Sequence, residues 1–266
     1  MGHQCYIQCD NYYLAACVYL PERYDKVVIL LQGYSHSMTD VDYFMTNIKN
    51  ELLKKGCAVI QFDPSGHGDS DGKIENFDYD TMIKNLQSVI AWSIKNFNCS
   101  IYFVTRGLYE LSIYNTEIKN CFDKCIILNP VAFNKDEYYN IKELIGEPNK
   151  IIDFNEWFNT IPDTKKDAVE SIFYSMGAKF KNLQGQYFNT GLLQDFISRL
   201  FKREACINDN SYYIFSNSVE NYSLLNDCRY PTQYSVSYYF KYGALPRDPV
   251  WHYNIINNIV ALCTEN

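Results

Sequence analysis

The sequence predicts an α/β fold with a mostly parallel central sheet flanked by helices and interrupted by a helical insertion. Three observations carry this. Short continuous apolar runs at Val27–Leu31, Cys57–Phe62, Ile101–Val104 and Cys125–Leu128 have the length and β-branched content of strands buried on both faces. Between them lie segments whose apolar residues keep helical spacing. From Cys99 to Tyr109 the chain reads as a strand, a tight turn and a segment able to be helical. Strands alternating with helices at this spacing imply right-handed crossovers.

Taken in order, Cys5–Cys9 and Tyr13–Leu20 form a strand pair joined by the turn dipeptide Asp10-Asn11, with Pro21 closing the second strand. Val27–Leu31 ends at Gln32-Gly33-Tyr34-Ser35-His36. Thr39 or Asp40 can cap a helix carrying Val41, Phe44, Ile48 and Leu52, which Gly56 stops. Cys57–Phe62 runs into Asp63-Pro64-Ser65-Gly66-His67-Gly68-Asp69-Ser70-Asp71-Gly72, whose glycines and proline demand a shaped loop. Asp78 can cap a helix with Met82, Ile83, Leu86, Val89, Ile90 and Ile94 on one face. The Ile101–Val104 strand leads to a helical stretch ending near Asn120, and Cys125–Leu128 ends at Asn129-Pro130. The alternation then lapses. Residues 134–206 read as a lid, helical over Ile151–Phe158, Asp167–Met176 and Leu192–Phe201, and placed over the carboxyl edge of the sheet. Tyr212–Phe215 and Ser235–Tyr242 resume the strands, and Ile255–Cys263 is a closing helix. The core is thus residues 1–133 and 207–266.

Composition narrows the functional classes. A chain of 266 residues with 47% hydrophobic residues buries a large core. Its net charge of −7 and lack of a basic, aromatic-interleaved cluster disfavour nucleic acid. No apolar run reaches the length of a membrane span and no export signal is visible, so the expectation is a cytoplasmic chain. Its ten cysteines then read as reduced, small hydrophobes. Cys5/Cys9 and Cys121/Cys125 share a spacing but lack a second ligand pair, so no zinc site is expected. No cofactor is called for.

A strand–turn–helix can present a nucleophile on a Gly-x-Ser-x-Gly turn, whose glycines relieve strain and let the helix pack close. Here the turn is Thr105-Arg106-Gly107-Leu108-Tyr109, with Gly107 where the serine belongs. A register shifted by two puts Thr105 at the nucleophile, but with bulky Phe103 at the first glycine and an extra methyl on the attacking group.

The opening CDNYYLAACVYLPERYDKVVILLQGYSHS and the run VIQFDPSGHGDSDGKIENFDYDTM resemble serine aminopeptidase-like and cinnamoyl-esterase-like members of the α/β-hydrolase superfamily. Gln32-Gly33 stands at the family's His-Gly motif, and the second run is close to its Asp-x-x-Gly-x-Gly-x-Ser-x-Gly loop. IYFV resembles the strand before the elbow, and LNPVAF is similar to hydrolase-like proteins associated with exosortase systems. The resemblance implies an α/β-hydrolase fold with a degenerate elbow. It puts His252 at the catalytic histidine and Glu220, after the Tyr212–Phe215 strand, at the acid. Gln32, Gly33 and Tyr34 would supply one backbone N–H to an oxyanion and Leu108 the other. Arg106 could hold an anionic group of a ligand. His67 matches a structural residue of the family.

The expected function is that of a hydrolase-like protein without its serine, binding a small acyl, ester or peptide-like ligand under the lid, non-catalytic or weakly hydrolytic. The alternatives are an active esterase, thioesterase or peptidase using Thr105 with His252 and Glu220, and an interaction protein, with a protein partner or as a homodimer, whose elbow pocket is filled by Tyr109, Arg106 or lid aromatics.

Overall fold

In a computed structural model of the chain, the residues described are 2–40, 43–128, 143–147, 150–178, 183, 186–201, 211–216, 236–238 and 249–265. The apolar runs are strands. A hairpin of β1 (Gly2–Cys9) and β2 (Tyr12–Tyr19) is followed by β3 (Lys26–Leu31), helix α1 (Phe44–Lys54), β4 (Ala58–Phe62), helix α2 (Tyr79–Asn96) and β5 (Ser100–Arg106). A 3₁₀ helix (Gly107–Tyr114), a short α3 (Thr116–Lys119) and β6 (Lys124–Leu128) complete this half. The sheet continues with β9 (Ser211–Ser216) and β10 (Val236–Tyr238), and the closing helix, here α7, covers Pro249–Thr264.

Strand order in the sheet is β1-β2-β4-β3-β5-β6-β9-β10. Only β2 runs against its neighbours, β1 and β4; the pairs from β4 to β10 are parallel. Alternation along each central strand divides the core into two layers. Val28, Leu30, Val104, Ile126 and Leu128 face α1 and α7, where Phe44, Ile48, Leu52, Ile255 and Ile259 meet them. Val27, Ile29, Ile101, Phe103 and Ile127 face the other way, with Met82, Leu86 and Val89 of α2. Each such fully buried side chain contributes roughly 1.5–3 kcal/mol of transfer free energy.

The helix ends follow local chemistry. The Asp78 carboxylate accepts from Thr81 N at 2.8 Å and caps α2 as the sequence predicts. Gly56, at φ 78°, ends α1. At the other end of α1 the reading is corrected: the helix starts at Phe44 after Tyr43 in the left-handed region, with no side-chain cap, because Asp40 is engaged elsewhere. The closing helix starts earlier than its apolar periodicity, at Pro249, a residue whose fixed φ suits a first helical turn. The segment after β5 is helical as the sequence predicts, 3₁₀ over Gly107–Tyr114 and then α over Thr116–Lys119.

The insertion contains strands that the sequence does not predict. β7 (Ile151–Asp153) pairs antiparallel with β8 (Tyr187–Asn189), and between and after them come α4 (Phe154–Thr160), α5 (Asp163–Ser175) and α6 (Thr190–Phe201). Phe154, Trp157, Phe173 and Phe188 meet with ring centroids 5.1–6.1 Å apart. They join the sheet's own apolar layer, so the insertion is welded to the core.

Candidate functional site

The carboxyl ends of β3, β4 and β5 carry the loops that build the site. Asp63, just past β4, is 1% exposed and ties two loops together. Its carboxylate accepts from Met38 N at 2.6 Å, Asp69 N at 3.1 Å and Gln32 Nε2 at 3.4 Å. Burial outweighs these bonds and pushes its pKa up to about 6. His67 donates from Nδ1 to the Ser65 carbonyl at 3.1 Å, which leaves a lone pair on Nε2. Its ring meets Tyr34 and Phe77 edge-on, at centroid distances of 5.6 and 4.9 Å. Burial lowers its pKa to about 4, so the imidazole is neutral near pH 7.

At the elbow, β5 ends extended at Arg106 and the chain turns on Gly107, at φ 63°, into the 3₁₀ helix. The left-handed residue of the turn is therefore Gly107 and not Thr105. Thr105 lies within the strand, fully buried, paired in register with Leu31 and Ile127. Its hydroxyl has no hydrogen-bond partner among the described residues.

The space that a side chain at position 107 would take holds backbone of Met176 and Gly177. Helix α5 ends in a cap in which Met176 N donates to Ile172 O and Ala178 N donates to Phe173 O, each at 2.9 Å, around Gly177 at φ 84°. This is the six-residue closure of a Schellman motif. It turns the Met176 carbonyl away from the helix, where it accepts from Leu108 N at 2.9 Å and from Tyr34 N at 3.2 Å. Those are the two donors the sequence assigns to an oxyanion. The negative end of the α5 dipole and one orphan carbonyl thus meet two convergent N–H groups.

The fit requires glycine on every side. A Cβ on Gly107 would overlap the Met176 carbonyl and come within 2.6 Å of Gly177 N. One on Gly33 would overlap the Gly177 carbonyl, and one on Gly177 would lie 2.8 Å from Gly33 Cα.

Arg106 is not available to a ligand anion in this arrangement. It is 3% exposed. Its Nε and Nη2 donate to the two Asp40 carboxylate oxygens at 2.8 and 2.7 Å, and Nη2 also donates to the Gly177 carbonyl at 3.0 Å. Its fork is thus taken by Asp40 and the Gly177 carbonyl. His252 lies in the first turn of α7, and its side chain is outside the described residues. Glu220 is outside them as well. So the structure brings together Gly33, Tyr34, Arg106, Gly107 and Leu108, and joins to them three residues the sequence reading missed: Asp40, Met176 and Gly177. Gly177 did carry a signal, a glycine at the end of a helical periodicity, but nothing in it tells where the cap docks.

No family model and no curated protein matches the chain. Solved structures do match across nearly all of it. The soluble variant of monoglyceride lipase from Saccharomyces cerevisiae superposes with a TM-score of 0.66 at 14% identity, over 97% of this chain and 93% of that one. An esterase from Exiguobacterium antarcticum gives 0.62 at 16%, covering 99% and 100%. Alpha/beta hydrolase domain-containing protein 10 from mouse gives 0.62 at 14%, covering 98% of each chain. With the strand order, the single antiparallel strand inside the sheet and the left-handed turn after β5, these superpositions establish that the chain has the α/β-hydrolase fold.

Proposed function

We propose that this protein is a hydrolase-like binder that has lost the serine nucleophile, taking a small acyl, ester or peptide-like ligand beneath its lid, non-catalytic or at most weakly hydrolytic. The observation that carries the reading is the Met176 carbonyl, which accepts from both Leu108 N and Tyr34 N. Acyl transfer needs a nucleophile beside its base and donors aimed at the developing oxyanion. Losing one such donor costs about 10²–10³ in rate, and here both are committed to a carbonyl that carries partial negative charge itself. Backbone also fills the space above Gly107, so a water has no room there while the cap is docked. The lipase and esterase among the matched folds support ester chemistry for the ligand.

The test is fluorophosphonate labelling of the whole chain, with a mass-spectrometric search for the modified residue and Thr105→Ala and His252→Ala run alongside. The expected result is no labelling of a protein that is folded by circular dichroism. Modification of Thr105 that disappears in His252→Ala would establish the active-hydrolase alternative and overturn the proposal.

A further inference from the structure

Far from the elbow, the sheet ends at β1 in an open edge. Among the described residues β1 (Gly2–Cys9) pairs with β2 alone, over eight consecutive positions without a bulge. Every second residue of such a strand turns its N–H and C=O outward, a ready template for another strand. Sheet proteins usually blunt an edge of this length with lysine, proline, a bulge or a covering element. The strand reads GHQCYIQC and holds no Asp, Glu, Lys, Arg or Pro, in a chain that is 21% charged. Gly2, His3, Gln4, Tyr6 and Gln8 are exposed, and Tyr6 keeps 60% of its surface in solvent.

What flanks this edge suits a second copy of the same chain. Two identical strands joined antiparallel are related by a two-fold axis normal to the sheet, so like faces stay on the same side. On one face α2 lies over β1: Asn85 Nδ2 is 3.6 Å from Cys9 Sγ, and Lys84 Nζ is 3.6 Å from the Asp10 carboxylate at the strand's end. As the crossover between the parallel strands β4 and β5, α2 runs against β1. The axis therefore sets the two α2 helices antiparallel, with their dipoles opposed. It also brings the Asp80 end of each toward the Lys95 end of the other; both residues are exposed, in the first and last turns. On the opposite face stands Tyr6, alternating with the buried Ile7 and diagonal to Tyr13 of β2, which is 50% exposed. Residues paired across the seam share a face, so Tyr6 of one copy comes opposite Tyr6 or a glutamine of the other.

We propose that β1 is the interface of a homodimer, in which two copies pair antiparallel along this edge and the eight-stranded sheet continues from one into the other. Each chain carries a net charge of −7, yet the strands that meet are uncharged, so the seam itself meets no repulsion. A seam about 27 Å long, the rise of eight antiparallel residues, and roughly 20 Å deep, the sheet layer plus one helix, buries on the order of 1,000 Å² over both copies. That is the size at which a specific interface begins, so the dimer is a reversible one. The inference goes beyond the reading of the elbow and holds whichever way that reading falls.

The experiment is sedimentation equilibrium of the whole chain from about 1 μM to 1 mM, with Tyr6→Lys and Gln4→Lys as variants. Both substitutions are at exposed positions, and circular dichroism checks that the variants fold. Tyr43→Asn, at a residue 68% exposed ahead of α1, is the control. The expected result is a reversible monomer–dimer equilibrium whose mass stops at two copies. Tyr6→Lys raises its dissociation constant about tenfold or more, because ammonium groups then face each other across the axis, and Tyr43→Asn leaves it unchanged. Amide exchange within Gly2–Cys9 slows at every second residue as the dimer fills. A chain that stays monomeric to about 1 mM overturns the proposal. So does a dimer that neither lysine weakens, one that Tyr43→Asn weakens instead, or one that leaves exchange in β1 unaltered. Mass growing past two copies overturns it as well, since a two-fold seam closes on itself.

Discussion

Placing a serine at position 107 is the perturbation that bears most directly on this site. Gly107→Ser puts a Cβ where the Met176 carbonyl already lies, on a residue at φ 63°. The left-handed backbone costs a residue with a Cβ about 1–2 kcal/mol, and forcing atoms into a packed site costs about 1–3 kcal/mol more. The variant should therefore be destabilised by about 2–5 kcal/mol. In a chain of 266 residues each kcal/mol moves the melting temperature by about 2–4 °C, so a fall of roughly 4–20 °C is expected. Thermal and urea unfolding followed by circular dichroism reads it, with Gly107→Ala beside it. Because the overlap is at Cβ, alanine should lose nearly as much as serine. A serine variant within about 0.5 kcal/mol of the parent would refute the reasoning, most directly if fluorophosphonate also labelled it, since both would mean that the space above residue 107 is open.

Three further outcomes are expected. Asp40→Asn leaves the buried Arg106 without its anion and should cost about 3–5 kcal/mol, whereas Asp40→Leu with Arg106→Met should recover most of that in the same urea titration. Gly177→Ala, at φ 84° and 2.8 Å from Gly33 Cα, should destabilise by about 2 kcal/mol or more and increase hydrogen exchange at the Leu108 and Tyr34 amides as the cap loosens. The third concerns pH. The folded pKa of His67 is depressed to about 4, so its stabilising contribution is present above its unfolded value of 6.5 and is lost as pH falls toward 4. That of Asp63 is raised from 3.8 to about 6, so its contribution runs the other way and grows as pH falls through 6. The two nearly cancel between pH 6.5 and 4.5. Asp63→Asn should expose the histidine, losing about 2 kcal/mol more than the parent over that interval; equal losses would show that Asp63 is not titrating there.

Much of the fold was legible because burial on both faces leaves a plain mark. Val27–Leu31 and Cys125–Leu128 are apolar throughout, and a strand so placed can tolerate little else. Asp78 was legible as a cap because a carboxylate before a helical stripe has one obvious use. Strands β7 and β8 were not. Ile151–Asp153 and Tyr187–Asn189 are three residues each, too short for a period, and among the described residues they pair only with each other, across the α4–α5 helices. Asp40 misled for a physical reason: an acidic residue ahead of a helix and an acidic residue awaiting a distant arginine look the same in one dimension.

The departures at the elbow belong together once the cap is in view. A glycine at the turn with nothing packed against it would leave a void, and voids are unfavourable in a packed interior. Here the void does not exist. Gly107 lacks a Cβ where Met176 and Gly177 approach it, Gly177 lacks one where Gly33 lies, and Gly33 lacks one where the Gly177 carbonyl and Arg106 Nη2 lie. Gly33 and Gly107 are each needed because the Met176–Gly177 cap is in place, and Gly177 because Gly33 is. Arg106 completes the set: its guanidinium, neutralised by Asp40, donates its remaining reach to the Gly177 carbonyl and so fastens the cap beside the turn. A cation there reads in one dimension as a hand held out to a ligand, yet with Asp40 beside it the ion pair closes on itself. The sequence displays a glycine at the turn and hides what meets it, because the occupant is a main-chain carbonyl that almost any residue at position 176 could present.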